Sequence, residues 1–137
     1  MEKHWTLSDQ EFEEQLITCT LPPSIFSHEA HLRLAWIYIT KYGIELAIIK
    51  IQKQLKHYVN FLGAEEKYNT TLTIAATKAV HHFILKSDSD SFKNLITEFP
   101  RLKYNFTDLM DQHYGFDIYN SKKAKAEYLK PDLAPFN

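Results

Sequence analysis

The chain has 137 residues, of which 45% are hydrophobic and 14% aromatic, so it can fold around an apolar core without disulfides. Its 16 basic and 17 acidic residues give a net charge of −1 at pH 7. A nucleic-acid-binding protein usually concentrates positive charge, and a membrane-spanning helix needs about 18 to 20 apolar residues in a row. We therefore expect neither nucleic acid nor membrane as a partner. The single cysteine and the polar, acidic N-terminus favour a cytoplasmic protein.

The first predicted helix begins after Ser8. Glu11 follows three residues later, which is the spacing of a capping box, in which the two side chains satisfy backbone N–H groups at the helix start. We expect this helix to run to about Cys19. Pro22 and Pro23 then break it, because proline lacks an N–H and disfavours a helical residue before it.

The second and third predicted helices follow each other closely. Ser27 is a plausible N-cap for a helix over 28–42, with Phe26 placed to pack back onto its first turn. Gly43 ends this helix and leads directly into the next, over 44–62, which Gly63 closes in turn. The short connection predicts that these two helices form a hairpin.

A fourth helix is predicted over about 69–86, with Asn69 or Thr70 as its cap. Shorter helical segments follow, and the tail 131–137 is expected to be extended against the body of the protein. The elements together predict an all-α fold. We expect one helical domain over 1–137, an antiparallel bundle of four main helices with shorter C-terminal helices.

His28 and His31 are the first candidate functional residues. Three positions apart on a helix, their side chains share a face and could bind one divalent metal ion, although a catalytic zinc needs a third protein ligand that the sequence does not supply. The structural alternative is that His28 is solvated while His31 turns inward and donates a hydrogen bond to a buried group.

Arg33 lies four residues after Glu29. This spacing favours an exposed ion pair worth only a few tenths of a kcal/mol, about 0.3–0.5. If Arg33 instead points toward the helix start, its planar guanidinium would suit a carboxylate or phosphate.

Three motifs of this chain resemble a family of small uncharacterised bacterial proteins. They are "HEAHLRLAWIYI", "GAEEKYNTTLTIA" and "KPDLAPF", which match H-x-x-H-L-R-x-A-W, K-Y-H-x-T-x-T and P-D-x-x-P in order over about residues 26–136. The resemblance implies an all-helical fold and a shared site. Where the family typically has a histidine in its second motif this chain has Asn69, which weakens a three-histidine metal scheme.

Helices two and four run parallel in an up-and-down arrangement, which brings their N-terminal ends together. This predicts a polar pocket that contains His28, His31, Arg33, Tyr68, Asn69 and Thr73. The expected ligand is a small, anionic molecule. In an enzyme, His31 would be the acid or base and Tyr68 the donor.

Two other functions remain open at this point. His28 and His31 could hold a divalent metal, with water completing the coordination shell. Alternatively, the protein is an interaction module whose exposed helix faces bind a partner or a second copy of the chain, and its histidines are structural. The sequence alone does not decide whether the protein is an enzyme.

Overall fold

The structure of the protein is a computed structural model that describes residues 1–136. Within this range all regular secondary structure is helical, which confirms the all-α prediction. The α-helices are α1 (Asp9–Ile17), α2 (His28–Tyr42), α3 (Ile44–Phe61), α4 (Thr70–Leu85), α5 (Phe92–Glu98), α6 (Arg101–Tyr104), α7 (Phe106–Asp111) and α8 (Lys122–Ala126). Short 3₁₀ turns cover Lys3–Thr6, Pro23–Ile25 and Glu65–Lys67. No helix in the described range is both long and apolar enough to span a bilayer.

The chain divides into two units, one over Met1–Tyr68 and one from Asn69 onward. In the first unit the predicted capping box is present: the Glu11 backbone N–H donates to the Ser8 hydroxyl, and the Ser8 N–H donates to the Glu11 carboxylate. Helix α1 ends earlier than predicted. Cys19 lies beyond the helix with a φ of +58°, buried against the first unit as a free thiol.

Helices α2 and α3 form the predicted hairpin. Gly43 joins them with a φ of +83°, a conformation that residues with a Cβ rarely adopt. Buried residues recur every three or four positions along α3, as expected for an amphipathic helix. Its buried side chains are Ala47, Ile51, Leu55 and Tyr58.

In the second unit, Asn69 is the N-cap of α4, because its side-chain oxygen accepts from the Leu72 N–H at 2.9 Å. Helix α8 packs against α4. The Thr71 hydroxyl fastens the segment after α8, since it donates to the Glu127 carbonyl oxygen at 2.7 Å and accepts from the Leu129 N–H at 3.0 Å.

The C-terminal tail has no regular secondary structure and, as predicted, lies against the body of the protein, at the loop that follows α7. Leu133 N–H donates to the His113 carbonyl oxygen, the His113 ring nitrogen Nδ1 donates to the Ala134 carbonyl oxygen at 2.8 Å, and the His113 ring stacks on buried Phe136. The part of the tail prediction that concerns Asn137 falls outside the described residues.

Candidate functional site

The first turn of the chain and the start of α2 build a buried polar cluster in the first unit. The 3₁₀ turn Lys3–Thr6 places the His4 side chain, which is 0% exposed, against the buried face of α2. We call the group formed by Glu2, His4, Trp5, Glu29 and Arg33 the N-terminal cluster.

Glu29 is the acceptor at the centre of this cluster. Its side chain is 4% exposed, and its oxygen Oε1 lies 2.6 Å from His4 Nε2 and 2.8 Å from Trp5 Nε1, which donates to it. Ionised acceptors make the stronger hydrogen bonds of proteins, about 1.5–3 kcal/mol each. The carboxylate therefore fastens the N-terminal turn to α2.

Glu2 brings a second carboxylate to the same place. Its Oε1 lies 3.8 Å from His4 Nε2 and accepts a hydrogen bond from the hydroxyl of Ser27, the N-cap of α2. One donor atom each from Glu2, His4 and Glu29 lie within 4.8 Å of one another. The Glu2 side chain is about one third exposed, so the cluster reaches solvent on this side.

Arg33 closes the cluster from the next turn of α2. Its Nε and Nη2 donate to Asp9 Oδ1 at 3.1 and 2.9 Å, its Nη1 donates to the His4 carbonyl oxygen at 2.6 Å, and its Nη2 also donates to the Leu7 carbonyl oxygen at 2.8 Å. The guanidinium carbon also lies 5.2 Å from the centre of the Trp5 ring, within range of a cation–π interaction.

The prediction of an exposed ion pair between Glu29 and Arg33 is therefore wrong. Both residues are only 4% exposed, and Arg33 pairs with Asp9 on α1. A guanidinium has five N–H donors, and the fifth faces His4 Nδ1 at 3.3 Å. An anionic ligand on Arg33 would have to displace one of these bonds, so its role in ligand binding stays a prediction.

The position of Arg33 also fixes the tautomer of His4. Because arginine only donates, His4 Nδ1 must be the acceptor, and the ring proton lies on Nε2, which donates to Glu29. Burial lowers the pKa of His4, the hydrogen bond and charge of Glu29 raise it, and the charge of Arg33 lowers it again. The net direction is downward, so His4 is neutral at pH 7.

The histidines predicted as ligands lie at the exposed start of α2. His28 is solvated, as the structural alternative predicted. His31 is exposed rather than turned inward, and its Nδ1 donates to the Ser27 carbonyl oxygen at 2.9 Å. The Phe26 ring stacks on the His31 ring with centroids 3.9 Å apart, which confirms the predicted packing of Phe26 on the first turn.

The tautomer of His31 and the direction of its pKa shift follow from these contacts. Since a carbonyl only accepts, Nδ1 carries the proton and Nε2 presents its lone pair. Desolvation by surrounding protein lowers the pKa of His31, the Ser27 carbonyl raises it and His28 lowers it. A role for His31 as a base or metal ligand stays a prediction.

The remaining predicted site residues lie at the junction of the two units. Tyr68 ends the first unit, and its ring lies over the Lys56 ammonium at 5.3 Å. Asn69 and Thr73 belong to the second unit, where Asn69 Nδ2 donates to the Ile118 carbonyl oxygen at 2.8 Å and the Thr73 carbonyl accepts from the Thr77 hydroxyl. His28 and His31 belong to the first unit, so the pocket that the sequence predicts between them and Asn69 and Thr73 stays a prediction.

Sequence analysis missed Glu2, His4 and Trp5. They lie 24 to 27 residues from Glu29 in sequence, and the approach of His4 and Trp5 depends on a 3₁₀ turn that no capping or periodicity rule predicts. One signal was available in the sequence. Glu29 and Arg33 stand among apolar residues of α2, and a charged pair on a buried helix face requires polar partners elsewhere in the chain.

No family model, curated protein or solved structure matches this chain. The resemblance of its three motifs to a family of small bacterial proteins stays a prediction.

Proposed function

We propose that this protein binds a divalent first-row metal ion through Glu2, His4 and Glu29. The observation that carries the proposal is the placement of two carboxylate oxygens and one imidazole nitrogen within 4.8 Å of one another, with His4 and Glu29 buried. Imidazole suits zinc, iron and nickel, whereas carboxylates suit manganese as well. The mixed donor set therefore favours Zn²⁺, Fe²⁺ or Mn²⁺ over Ca²⁺ or Mg²⁺.

The distances require a small adjustment for metal binding. Ligand atoms bonded to one metal at about 2.0–2.2 Å lie at most about 4.4 Å apart. The gap of 3.8 Å between Glu2 Oε1 and His4 Nε2 meets this limit. The distance of 2.6 Å between His4 Nε2 and Glu29 Oε1 is that of a hydrogen bond. A metal ion would replace the proton of this bond and would increase the distance between the two atoms.

The charges of the cluster favour a cation. Asp9 pairs with Arg33, so the negative charges of Glu2 and Glu29 stand beside a neutral imidazole. Trp5 Nε1 donates to Glu29 and the Ser27 hydroxyl donates to Glu2. These hydrogen bonds orient both carboxylates, as neighbouring residues commonly orient the ligands of a metal ion.

Arg33 limits the strength of this site. A metal on His4 Nε2 moves the ring proton to Nδ1, where it faces Arg33 Nη1 at 3.3 Å. Two donors then oppose each other, and this repulsion must be relieved by a small shift of the guanidinium. We therefore expect an exchangeable metal rather than a permanent structural one, because the hydrogen bonds of the cluster already hold the metal-free protein together.

The test is calorimetric titration of chelator-treated protein with Zn²⁺ and with Mn²⁺ at pH 7.5. We expect one site per chain in the wild-type protein. The variant Glu2→Gln keeps an acceptor for Ser27 but removes a charged ligand, so it should weaken binding about tenfold or more.

The matched control is the double variant His28→Gln with His31→Gln, which removes the pair that the sequence predicts as metal ligands. We expect its affinity to equal that of the wild type. Loss of binding in this variant, with Glu2→Gln unchanged, would assign the metal to His28 and His31. Absence of binding to the wild type would refute both metal hypotheses.

The other functional predictions from the sequence remain proposals, and fewer structural observations support them. A small anionic molecule at His31 and Tyr68 would lack the help of Arg33, whose donors are already used by the protein. We also propose a cytoplasmic location, which the single cysteine supports because it is a buried free thiol that suits a reducing compartment.

A further inference from the structure

The second unit contains a cleft that is lined by none of the candidate site residues discussed above. It has a volume of about 430 Å³ and is formed by α7 and the loop that follows it, over residues 107–119. This is within the usual range of small-molecule sites, about 300–1,000 Å³. A single water molecule occupies only about 30 Å³ of liquid, so the cleft is larger than a bare metal ion requires.

The walls of the cleft combine carboxylates with aromatic rings. Asp111 and Asp117 supply the charged groups, and Tyr114, Phe116 and Tyr119 supply the rings. The Tyr114 and Phe116 rings meet edge to face with centroids 5.6 Å apart, and Phe116 is 39% exposed. None of the described residues that line the cleft is basic.

Asp111 and Asp117 both line the cleft, and Asp117 accepts a hydrogen bond from the backbone N–H of Tyr119, a third lining residue. Burial raises the pKa of the Tyr119 phenol, the Thr107 hydroxyl lowers it, and the negative charges of Asp111 and Asp117 raise it further. The two carboxylates and this phenol therefore line the same cleft. A positive charge placed there would be attracted by both of them.

Asp117 is held rigidly in its ionised form. Its Oδ1 accepts from the backbone N–H groups of Tyr119 at 2.8 Å and Asn120 at 3.2 Å, and its Oδ2 accepts from the Asn120 side chain at 2.8 Å. The Asn120 side chain and these N–H groups hold the pKa of Asp117 below its usual range. Its charge is thus present and fixed in place before any ligand arrives.

We propose that this cleft binds a small organic cation, an alkylammonium or quaternary ammonium group, between Asp111, Asp117 and the ring of Phe116. Carboxylates attract the positive charge, and ring faces hold it through cation–π contact. This cleft shares no residue with the proposed metal site at Glu2, His4 and Glu29. Its ligand also has the opposite charge from the molecule that the sequence predicts near His31.

The experiment follows backbone amide signals of isotope-labelled full-length protein during titration by nuclear magnetic resonance. The probes are n-butylammonium and tetramethylammonium, with neutral n-butanol and anionic butyrate as matched controls. A capped lysine amide shows whether a peptide side chain serves as well as a free amine. We expect saturable shifts of the amide signals of Gly115 and Tyr119 with the cations alone, because both residues line the cleft.

The variant Asp111→Asn removes one exposed carboxylate and should weaken cation binding about fivefold, the loss expected for one solvent-exposed charge contact. Asp108→Asn is the matched control, since Asp108 lies on the same helix, is exposed and does not line the cleft. It should bind as the wild type does. Equal binding of butanol or butyrate, or an equal effect of the two variants, would overturn the proposal.

Discussion

At the scale of single residues, Arg33 shows how burial changes the contribution of a charged side chain to stability. An exposed pair with Glu29 would contribute only a few tenths of a kcal/mol, about 0.3–0.5, whereas the buried guanidinium here satisfies Asp9 and two carbonyl oxygens at once. Its removal leaves these acceptors without their donor. The same burial prevents it from being an open anion site.

We predict that Arg33→Met lowers the free energy of unfolding by about 2–3 kcal/mol, because the carbonyl oxygens of His4 and Leu7 lose their donors, whereas the half-exposed Asp9 can be solvated again. Urea denaturation followed by circular dichroism measures this difference. The control is Arg101→Met. Arg101 is an exposed residue whose guanidinium lies over the Phe83 ring, so we expect its removal to lower the free energy of unfolding by less than about 1 kcal/mol. Equal losses for both variants would contradict the buried network.

His4 makes stability depend on pH. Its pKa is lowered in the folded protein, so below a pH of about 6.5 the unfolded chain binds a proton that the folded protein does not. Stability is therefore fully present above that pH and falls as the pH drops toward the folded pKa. His31, His81 and His82 are lowered in the same direction and add to this fall.

The contribution of His4 is isolated by His4→Gln. A glutamine amide can donate toward Glu29 and accept from Arg33, yet it does not titrate. We expect the loss of melting temperature between pH 7 and pH 5 to be smaller in this variant than in the wild type. A difference of zero between the two pH profiles would show that His4 titrates alike in the folded and unfolded chains.

At the scale of elements, helix limits were largely predictable because capping is local. Ser8, Ser27 and Asn69 cap their helices as predicted, and Gly43 and Gly63 have positive φ at the ends of α2 and α3. The 3₁₀ turn at the N-terminus was not predictable. Its conformation depends on contacts of His4 and Trp5 with a helix 25 residues away, and local sequence does not encode that distance.

Asn69 holds α4 in two ways, and a pair of variants separates them. Asn69→Ala removes the cap and the bond to the Ile118 carbonyl, so we expect a loss of about 2–3 kcal/mol in the free energy of unfolding. Asn69→Ser keeps a capping oxygen and should recover about 1 kcal/mol of that loss in the same urea titration. If serine were no better than alanine, the cap would contribute nothing to stability.

At the scale of the whole molecule, composition and helical periodicity were sufficient to predict an all-α protein, because they report on backbone preference and on the apolar face of each helix. The position of the site was not predictable from them. The sequence drew attention to His28 and His31 because their spacing is conspicuous, while Glu29 between them is the buried residue that binds His4. Long-range polar contacts arise only when the chain is folded.

The metal-free protein should keep its fold. The hydrogen bonds of Glu29 with His4 and Trp5 satisfy the cluster without an ion, so chelator treatment should leave the far-ultraviolet circular dichroism spectrum unchanged. Added Zn²⁺ at 100 times its dissociation constant should then stabilise the protein by about 2.7 kcal/mol, seen as a higher melting temperature. Unfolding on chelation would instead indicate a permanent structural metal.

The most direct measurement is X-ray absorption at the zinc edge of protein loaded with one Zn²⁺ per chain, since scattering from imidazole rings counts the histidine ligands. Binding by Glu2, His4 and Glu29 predicts one imidazole with oxygen ligands in the wild type, and none in His4→Gln. Two imidazoles, unchanged in His4→Gln, would place the metal at another pair of histidines and contradict the account.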